Sequence, residues 1–195
     1  MREFHYPVWL MQPIPYFGEK LEGDWVYEEK IDGWRLQIIK VEEEIKFFGR
    51  RLTKNPDWTE KLKVPRENLK RILPKKTILD SELYSDKGRR FIPSLFAKKK
   101  KAEPLIYIFD VIFFEGEFLG NLPLKKRRKI LESLNFKPPF FLLPQYKLVS
   151  IEKILENFRE TSSEGVVFKE LNSDYRLGKE CPLVTEFWRK LKFRR

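Results

Sequence analysis

The chain has 195 residues and a net charge of +11, because 40 Lys and Arg oppose 29 Asp and Glu. This length suits one large or two small domains, and 42% hydrophobic residues are enough to build a core. One cysteine and one histidine exclude a disulfide framework, a cysteine-based zinc site and a pair of histidine ligands, and they disfavour a catalytic triad, which would need His5 near the N-terminus.

The first half of the chain predicts strands joined by turns. Asp32-Gly33 is a strong turn signal, and the charged residues 42–44 form a second turn. A helical stretch is expected to open at residues 55–57, to be interrupted by Pro65 and to resume over residues 68–73. The β-branched and aromatic residues between these signals predict strands at residues 25–30, 34–41 and 45–50.

The second half mixes strands with helices. Helices are expected over residues 124–134, with Pro123 at the start, and over residues 150–159, with Ser150 as N-cap. Strands are predicted at residues 77–84, 105–114, 165–169 and 187–193. The fold class is therefore α+β with antiparallel or mixed sheets, in which residues 1–24 form a packed lead-in to one domain over residues 25–195.

A lysine corner lies between the first two predicted strands, where Lys30 to Arg35 reads Lys-Ile-Asp-Gly-Trp-Arg. Lysine, aspartate and glycine are common in β-turns, so a purely structural corner is one interpretation. The other is chemical, because a lysine amine becomes a nucleophile when desolvation or neighbouring cations favour its neutral form. A phosphate target would need further cations and a metal to take up the developing charge.

Four later segments supply such groups. Asp80 and Glu82 lie two residues apart in a predicted strand, so their carboxylates share one face, and Lys190 and Lys192 share a face for the same reason. The segments are Asp80-Ser81-Glu82-Leu83, Phe109-Asp110, Glu164-Gly165-Val166-Val167-Phe168-Lys169 and Trp188-Arg189-Lys190-Leu191-Lys192.

In order and relative spacing, these five segments resemble the nucleotidyltransferase motifs of the ATP-dependent DNA ligases. That superfamily also contains RNA ligases and mRNA capping guanylyltransferases. Lys30 to Arg35 matches the K-x-D-G-x-R motif in full, whereas Ser81 stands where the D-G-E-L motif usually has glycine. The resemblance covers nearly the whole chain and implies a ligase-type, ATP-grasp-like nucleotidyltransferase domain.

The resemblance also implies an activity. Lys30 would attack the α-phosphate of ATP, release pyrophosphate and carry AMP as a phosphoramidate; AMP would then pass to a 5′-phosphate, and a nick in duplex DNA would be sealed. ATP and Mg²⁺ or Mn²⁺ would be the cofactors. RNA ligation or GTP-dependent RNA capping is the alternative within the superfamily, and a non-catalytic nucleic-acid-binding subunit is the alternative outside the enzymes.

Residues for the base follow from the same resemblance. Glu28 would accept a hydrogen bond from the adenine amino group, although Glu29 beside it is equally available. Phe109 would stack on the adenine, unless it serves only as core. Val167 would cover the other face of the base, with Val166 as the competing choice.

Ribose and phosphate contacts are implied for Arg35 and Arg50, where Arg50 follows a glycine that is often serine in the family and Arg51 competes with it. Glu82 would contact the ribose or help to hold a metal, and Asp80 would be structural support.

The α-phosphate would be handled by a carboxylate and several lysines. Glu164 is the main metal candidate, because a hard carboxylate suits Mg²⁺ with retained waters. Lys190 and Lys192 would neutralise the phosphate and make it easier for the Lys30 amine to lose its proton. Lys169 is a weaker member of the same set.

The chain stops three residues after Lys192, where members of the family continue into an OB-fold domain. We therefore expect no OB-fold domain in this sequence. It is either a naturally minimal enzyme or a piece cut after the last motif, and a partner protein or separate domain would replace the missing fold.

Basic runs at residues 98–101 and 125–129, with Arg194-Arg195, are either solvated surface or nonspecific contacts to nucleic-acid phosphates. No apolar run approaches the roughly 18 residues of a spanning helix, and the N-terminus lacks a signal-peptide pattern. We expect a cytoplasmic protein without membrane contact, and the richness in Lys and Glu favours a thermophilic prokaryote.

Overall fold

The structure is a computed structural model that describes residues 2–158 and 163–193. One sheet is built from β1 (Gln12–Pro15), β2 (Trp25–Glu29), β9 (Gln145–Lys147), β10 (Gly165–Glu170) and β11 (Val184–Lys192). Their order is β1-β11-β10-β2-β9, and the pairings are antiparallel except for β1 beside β11. This sheet is mixed, as predicted.

The second sheet contains β3 (Trp34–Val41), β4 (Glu44–Gly49), β5 (Thr77–Ser85), β6 (Pro104–Phe114), β7 (Glu117–Phe118) and β8 (Phe140–Leu142). Its order is β4-β3-β5-β6-β7, and β8 runs parallel to β6. The long apolar strand β6 pairs with β5, β7 and β8, and it is almost completely buried because its side chains belong to two different core clusters. The strands predicted in this part of the chain are confirmed within one residue.

Three α-helices lie in the described part of the chain: α1 (Glu67–Ile72), α2 (Leu124–Glu132) and α3 (Ile151–Phe158). Each falls on a predicted helix. The backbone N–H of Lys153 donates to Ser150 Oγ at 3.2 Å, which confirms Ser150 as the N-cap of α3. The last residue predicted for α3, Arg159, lies outside the described residues.

The prediction of a helix that begins at residues 55–57 is wrong. Asn55 adopts a left-handed conformation with φ of 43°, which ends a 3₁₀ turn at Leu52–Lys54. The chain then follows the edge of β4, because the N–H of Trp58 donates to the Phe47 carbonyl at 2.8 Å. A Cβ at Gly49 would lie 2.5 Å from the Trp58 ring, so glycine there lets the indole pack against the strand. Tertiary packing overrides the local helix signal.

The segment 1–24 contributes to the sheet and the core. Its residues 12–15 form edge strand β1, and Val8, Leu10 and Met11 are buried. A domain boundary at residue 24 remains a sequence-based prediction.

The hydrophobic core of the described residues consists of three clusters. One cluster packs α1 and α2 against the outer face of the larger sheet, a second fills the space between the sheets, and a third packs α3 against Val166 and Phe168 of β10. The alternation along β10 leaves Val167 and Lys169 on the face that looks toward the larger sheet. No helix in residues 2–158 and 163–193 is long and apolar enough to cross a membrane.

Two buried aspartates face each other across β5 and β6, since Asp80 is in register with Asp110. Like charges in direct register are unfavourable, and each carboxylate is matched by its own arginine. Arg35 donates to both oxygens of Asp80 at 2.5 Å, and Arg127 donates to both oxygens of Asp110 at 2.8 and 3.0 Å. The two pairs make the centre of the larger sheet depend on charge compensation.

Candidate active site

A cavity of about 630 Å³, a size typical of small-molecule sites, opens between the facing sides of the two sheets. The residues that the sequence marks as site residues all line it: Glu28, Lys30, Arg35, Arg50, Glu82, Phe109, Glu164, Val167, Lys169, Lys190 and Lys192. Among the described residues, eight cationic and five acidic side chains line the cavity, so it favours an anion.

The floor of the cavity is a row of residues that lie opposite one another on three strands of the smaller sheet. Val167 is in register with Glu28 on one side and with Lys190 on the other. Glu28 is 2% exposed, whereas Glu29 is exposed at the rim. The phase of the strands therefore places Val167 in the cavity and Val166 in the core beneath α3.

The lysine corner is held at one end of this floor. The backbone N–H of Lys30 donates to the Gly165 carbonyl at 2.9 Å. A Cβ on Gly165, whose φ is +155°, would lie 2.0 Å from the Leu191 carbonyl oxygen, so no larger residue fits there. The glycine of the E-G-V-V-x-K segment thus allows β10 and β11 to approach closely beside the lysine.

Glu164 joins two lysines. Lys30 donates through Nζ to Glu164 Oε2, and Lys192 Nζ lies 2.7 Å from Glu164 Oε1. Partial burial opposes ionisation of Glu164, but the hydrogen bonds from Lys192 and Lys30 prevail and lower its pKa. For Lys190, burial together with the positive charges of Lys192, Lys30 and Arg50 lowers the pKa. An anion bound here would relieve the repulsion among these cations.

The opposite end contains a buried ion pair. Lys169 Nζ lies 2.7 Å from Glu28 Oε2, and each side chain is 2% exposed. Burial raises the pKa of Glu28 in spite of this lysine. Lys169 Nζ also lies 4.1 Å from the centre of the Trp188 ring and 4.5 Å from that of Phe109. The sequence groups Lys169 with the phosphate lysines; in this structure its amine is engaged beside Glu28.

Phe109 reaches the cavity through an irregularity in strand pairing. The register between β5 and β6 passes from Asp80 opposite Asp110 to Ser81 opposite Ile108, which leaves Phe109 without a direct partner on β5. Its ring is 7% exposed, lies 4.7 Å from the Arg35 guanidinium carbon and meets the Trp188 ring edge-on. The ring belongs to the core and also lines the cavity.

Phe109→Leu tests whether the aromatic ring binds a nucleotide base. We expect ATP affinity to fall by about 1–3 kcal/mol, since base–aromatic stacking is removed. Phe113→Leu is the matched control, because Phe113 is buried in the same cluster and does not line the cavity. Both variants are expected to melt at a lower temperature, but only Phe109→Leu to bind ATP more weakly. Equal ATP affinity in isothermal titration would make Phe109 a core residue only.

Arg35 is fixed by a buried network. Besides Asp80, its guanidinium donates to the Met11 carbonyl at 3.2 Å, and the Tyr175 hydroxyl donates to Asp80 Oδ2 at 2.6 Å. Asp80 thus has the supporting position expected of it. Burial raises the pKa of Glu82 to about 7, against the attraction of Arg35 and Lys30. Near neutral pH its carboxyl can donate as well as accept, which favours contact with a hydroxyl.

The outer end of the cavity is a rim of arginines and indoles. Arg50 and Arg51 both line it, so the structure does not separate them, and Trp34 and Trp58 are beside them. Arg89 pairs with Asp32 of the lysine corner across 57 positions of sequence. No local pattern marks Arg89 and Trp58 as site residues, because each is brought to the rim by contacts distant in sequence, whereas Trp34 lies within the lysine corner itself.

The basic runs lie in different places. In the first run, the backbone carbonyl of Lys101 accepts a hydrogen bond of 2.8 Å from Lys87 Nζ. Lys87 is two residues before Arg89 of the rim, so this run adjoins the rim. The second forms most of α2, where Lys125 donates to Asn172 and Arg127 is buried. Arg194-Arg195 lies outside the described residues. No cluster of three or more potential His, Cys, Asp or Glu metal ligands occurs in residues 2–158 and 163–193.

The fold and the site together are those of a nucleotidyltransferase domain, in which a lysine lies at one end of a cavity large enough for a small molecule. The model of the ATP dependent DNA ligase domain family matches residues 10–192. The chain belongs to this family.

The curated relatives include proteins named DNA ligase from archaea and from a virus. A DNA ligase of Methanocella arvoryzae is 34% identical over 172 residues, covering 78% of this chain and 30% of the relative. DNA ligase 1 of Methanosarcina barkeri is 32% identical over 204 residues, covering 89% and 35%. The chain thus spans about a third of the length of these relatives.

Solved structures support the fold. Mycobacterial DNA ligase D complexed with ATP and MES superimposes with a TM-score of 0.70 at 20% identity, covering 94% of this chain and 60% of that one. A Lig E DNA ligase gives a TM-score of 0.66 at 18% identity, covering 94% and 68%.

Proposed function

We propose that this chain is the adenylation domain of an ATP-dependent DNA ligase, with Lys30 as the residue that carries AMP. The observation that supports it best is the contact of Lys30 with Glu164 inside a cationic cavity whose far end holds Glu28 and Phe109. A nucleotide fits this arrangement with its phosphates at the lysines and its base between Val167 and Phe109. The proposed setting is the cytoplasm, where ATP and DNA occur together.

In the first step the Lys30 amine loses a proton and its lone pair forms a bond to the α-phosphorus of ATP. The bond from that phosphorus to the oxygen bridging to the β-phosphate breaks, and pyrophosphate leaves with the electron pair. A second proton then leaves the nitrogen, which is neutral in the resulting phosphoramidate, while the phosphoryl group keeps its negative charge. Glu164 holds the amine toward the cavity, and Lys190 and Lys192 stabilise the charge that develops on the phosphate.

In the second step an oxygen of the 5′-phosphate of a nicked strand attacks the phosphorus of the bound AMP. The phosphorus–nitrogen bond breaks, and the Lys30 nitrogen takes up a proton and leaves as the free amine. The 3′-hydroxyl then attacks the activated 5′-phosphate and releases AMP, which closes the nick. Asp80 positions Arg35 to hold the nucleotide while AMP passes from ATP to Lys30 and then from Lys30 to the 5′-phosphate.

A divalent metal fits the carboxylates present. Mg²⁺ commonly uses one or two protein carboxylates together with waters and substrate phosphates, and Glu164 and Glu82 both line the cavity. Mg²⁺ or Mn²⁺ bound there would neutralise phosphate charge.

Lys98→Ala/Lys99→Ala tests the role of the basic run beside the rim. We expect weaker binding to nicked duplex and a shallower dependence on salt, by about 0.9 in the log–log slope for each phosphate that the variant no longer neutralises. Lys125→Ala/Lys126→Ala is the matched control, because it removes the same charge from two exposed lysines of α2, the helix that packs against the larger sheet. If the two double variants gave equal slopes in a salt series, the proposal that the run at residues 98–101 contacts DNA phosphates would be contradicted.

The proposed activity is tested by incubating the protein with radiolabelled ATP or GTP and separating it on a denaturing gel. Label from ATP that transfers to nicked DNA is expected. Label from GTP alone, or transfer only to RNA ends, would favour the capping or RNA ligase alternatives.

A further inference from the structure

One short segment connects the two sheets beside the base end of the cavity. Strand β8 ends at Leu142, in register with Ile108 of the larger sheet, and three residues later Gln145 is in register with Glu28 of the smaller sheet. Leu143 between them lines the cavity, and its N–H donates to the Ile108 carbonyl at 2.8 Å. Gln145 is therefore delivered to Glu28 by a segment that both sheets hold.

The contact between the two side chains is specific. Gln145 donates through Nε2 to Glu28 Oε1 at 2.9 Å, while Lys169 Nζ lies 2.7 Å from Glu28 Oε2. Each carboxylate oxygen thus has its own protein partner, a hydrogen-bond donor at Oε1 and an ion-pair partner at Oε2. The row across the floor extends over four strands in the order Gln145, Glu28, Val167 and Lys190.

We propose that Gln145 is a positioning residue that sets the preference for adenine over guanine by holding the Glu28 carboxylate as an oriented hydrogen-bond acceptor. This inference rests on the proposed function, because it requires a nucleotide base at this end of the cavity. Gln145 itself is not among the residues that line the cavity, so it acts through Glu28.

The chemistry of the two bases explains the preference. An ionised carboxylate only accepts hydrogen bonds, and it complements the exocyclic amino group of adenine. Guanine presents a carbonyl oxygen at the same position, so two acceptors would face each other and remain unsatisfied. A buried carboxyl without its donor is free to rotate or to take up a proton, and the protonated form can donate to that carbonyl.

The test compares ATP and GTP in equilibrium binding and in the rate of covalent labelling, for the wild type and Gln145→Met. Methionine keeps a similar length and removes the donor. We expect the preference for ATP over GTP, in affinity and in labelling rate, to fall on the order of tenfold, because one hydrogen bond to a charged group is lost. Lys147→Met is the matched control, since Lys147 is exposed on the same strand two residues away, and we expect it to keep the ratio.

Gln145→Glu is a second variant that preserves size. Its carboxyl would share a proton with Glu28, so we expect the ratio to fall in the same direction. An unchanged ratio in both variants, with ATP binding intact, would overturn this inference alone. A wild-type protein that binds neither nucleotide would overturn the proposed function and this inference together.

Discussion

Lys30→Ala is expected to abolish covalent attachment of AMP completely. The variant removes the only proposed nucleophile and leaves Glu164 with its partner Lys192, 2.7 Å away. Lys30→Arg is expected to fail as well, because a guanidinium stays protonated and is a poor nucleophile. The measurement is label from radiolabelled ATP retained on a denaturing gel.

The control for Lys30→Ala is its own stability and ATP affinity. Lys30 is at the edge of the cavity with 21% of its side chain exposed, so we expect the melting temperature to change little. A folded variant that still binds ATP but takes no label identifies a chemical role. Label retained on the folded variant would assign the nucleophile to another residue.

Arg127→Met is expected to destabilise the fold by about 3–5 kcal/mol, because it leaves the Asp110 carboxylate buried without its partner. Arg127 and Asp110 are both 0% exposed, and Arg127 also donates to the Ser173 carbonyl at 3.1 Å. Chemical denaturation monitored by circular dichroism measures the loss. Lys129→Met on the same helix is the matched control, because Lys129 is exposed, and we expect a change within about 0.5 kcal/mol.

Adding Asp110→Asn to Arg127→Met removes the unpaired charge. We expect the double variant to be more stable than Arg127→Met alone, because the two residues are in direct contact and their substitutions are therefore not additive in a double-mutant cycle. A loss below about 1 kcal/mol for Arg127→Met would show that this pair does not hold the centre of the larger sheet.

The long strands could be predicted from the sequence because they depend on local signals, whereas the residues of the cavity were predicted from the resemblance to a known set of motifs. Hydrophobic runs marked β3, β5 and β6, and the motif spacing assigned Lys30, Glu164 and Lys192 to one site. The family match confirms the resemblance from which those residues were drawn. Their individual roles remain predictions.

Choices between neighbouring residues could not be made from the sequence. Glu28 and Glu29, or Val166 and Val167, differ only in which face of a strand they occupy, and that phase is fixed by pairing with strands distant in sequence. Cross-strand register resolves Val167 toward the cavity and buries Glu28. The position of Phe109 depends on a register shift that no local pattern encodes.

The short elements were missed for a related reason. Strands β1, β8 and β9 have three or four residues each, and β1 contains two prolines, so they carry almost no strand signal of their own. They exist because longer strands offer them partners. Gln145 was missed together with β9, since its contact with Glu28 appears only once that edge strand is in place.

The most direct test of the central claim is to locate the nucleotide on the protein. After incubation with ATP and a divalent metal, the protein is digested under alkaline conditions that preserve a phosphoramidate and the peptides are sequenced by tandem mass spectrometry. We expect AMP on the side-chain nitrogen of Lys30, released by mild acid treatment as a phosphorus–nitrogen bond should be. AMP on any other residue, such as Lys190, or a modification that survives acid, would contradict the assignment of Lys30 as the nucleophile.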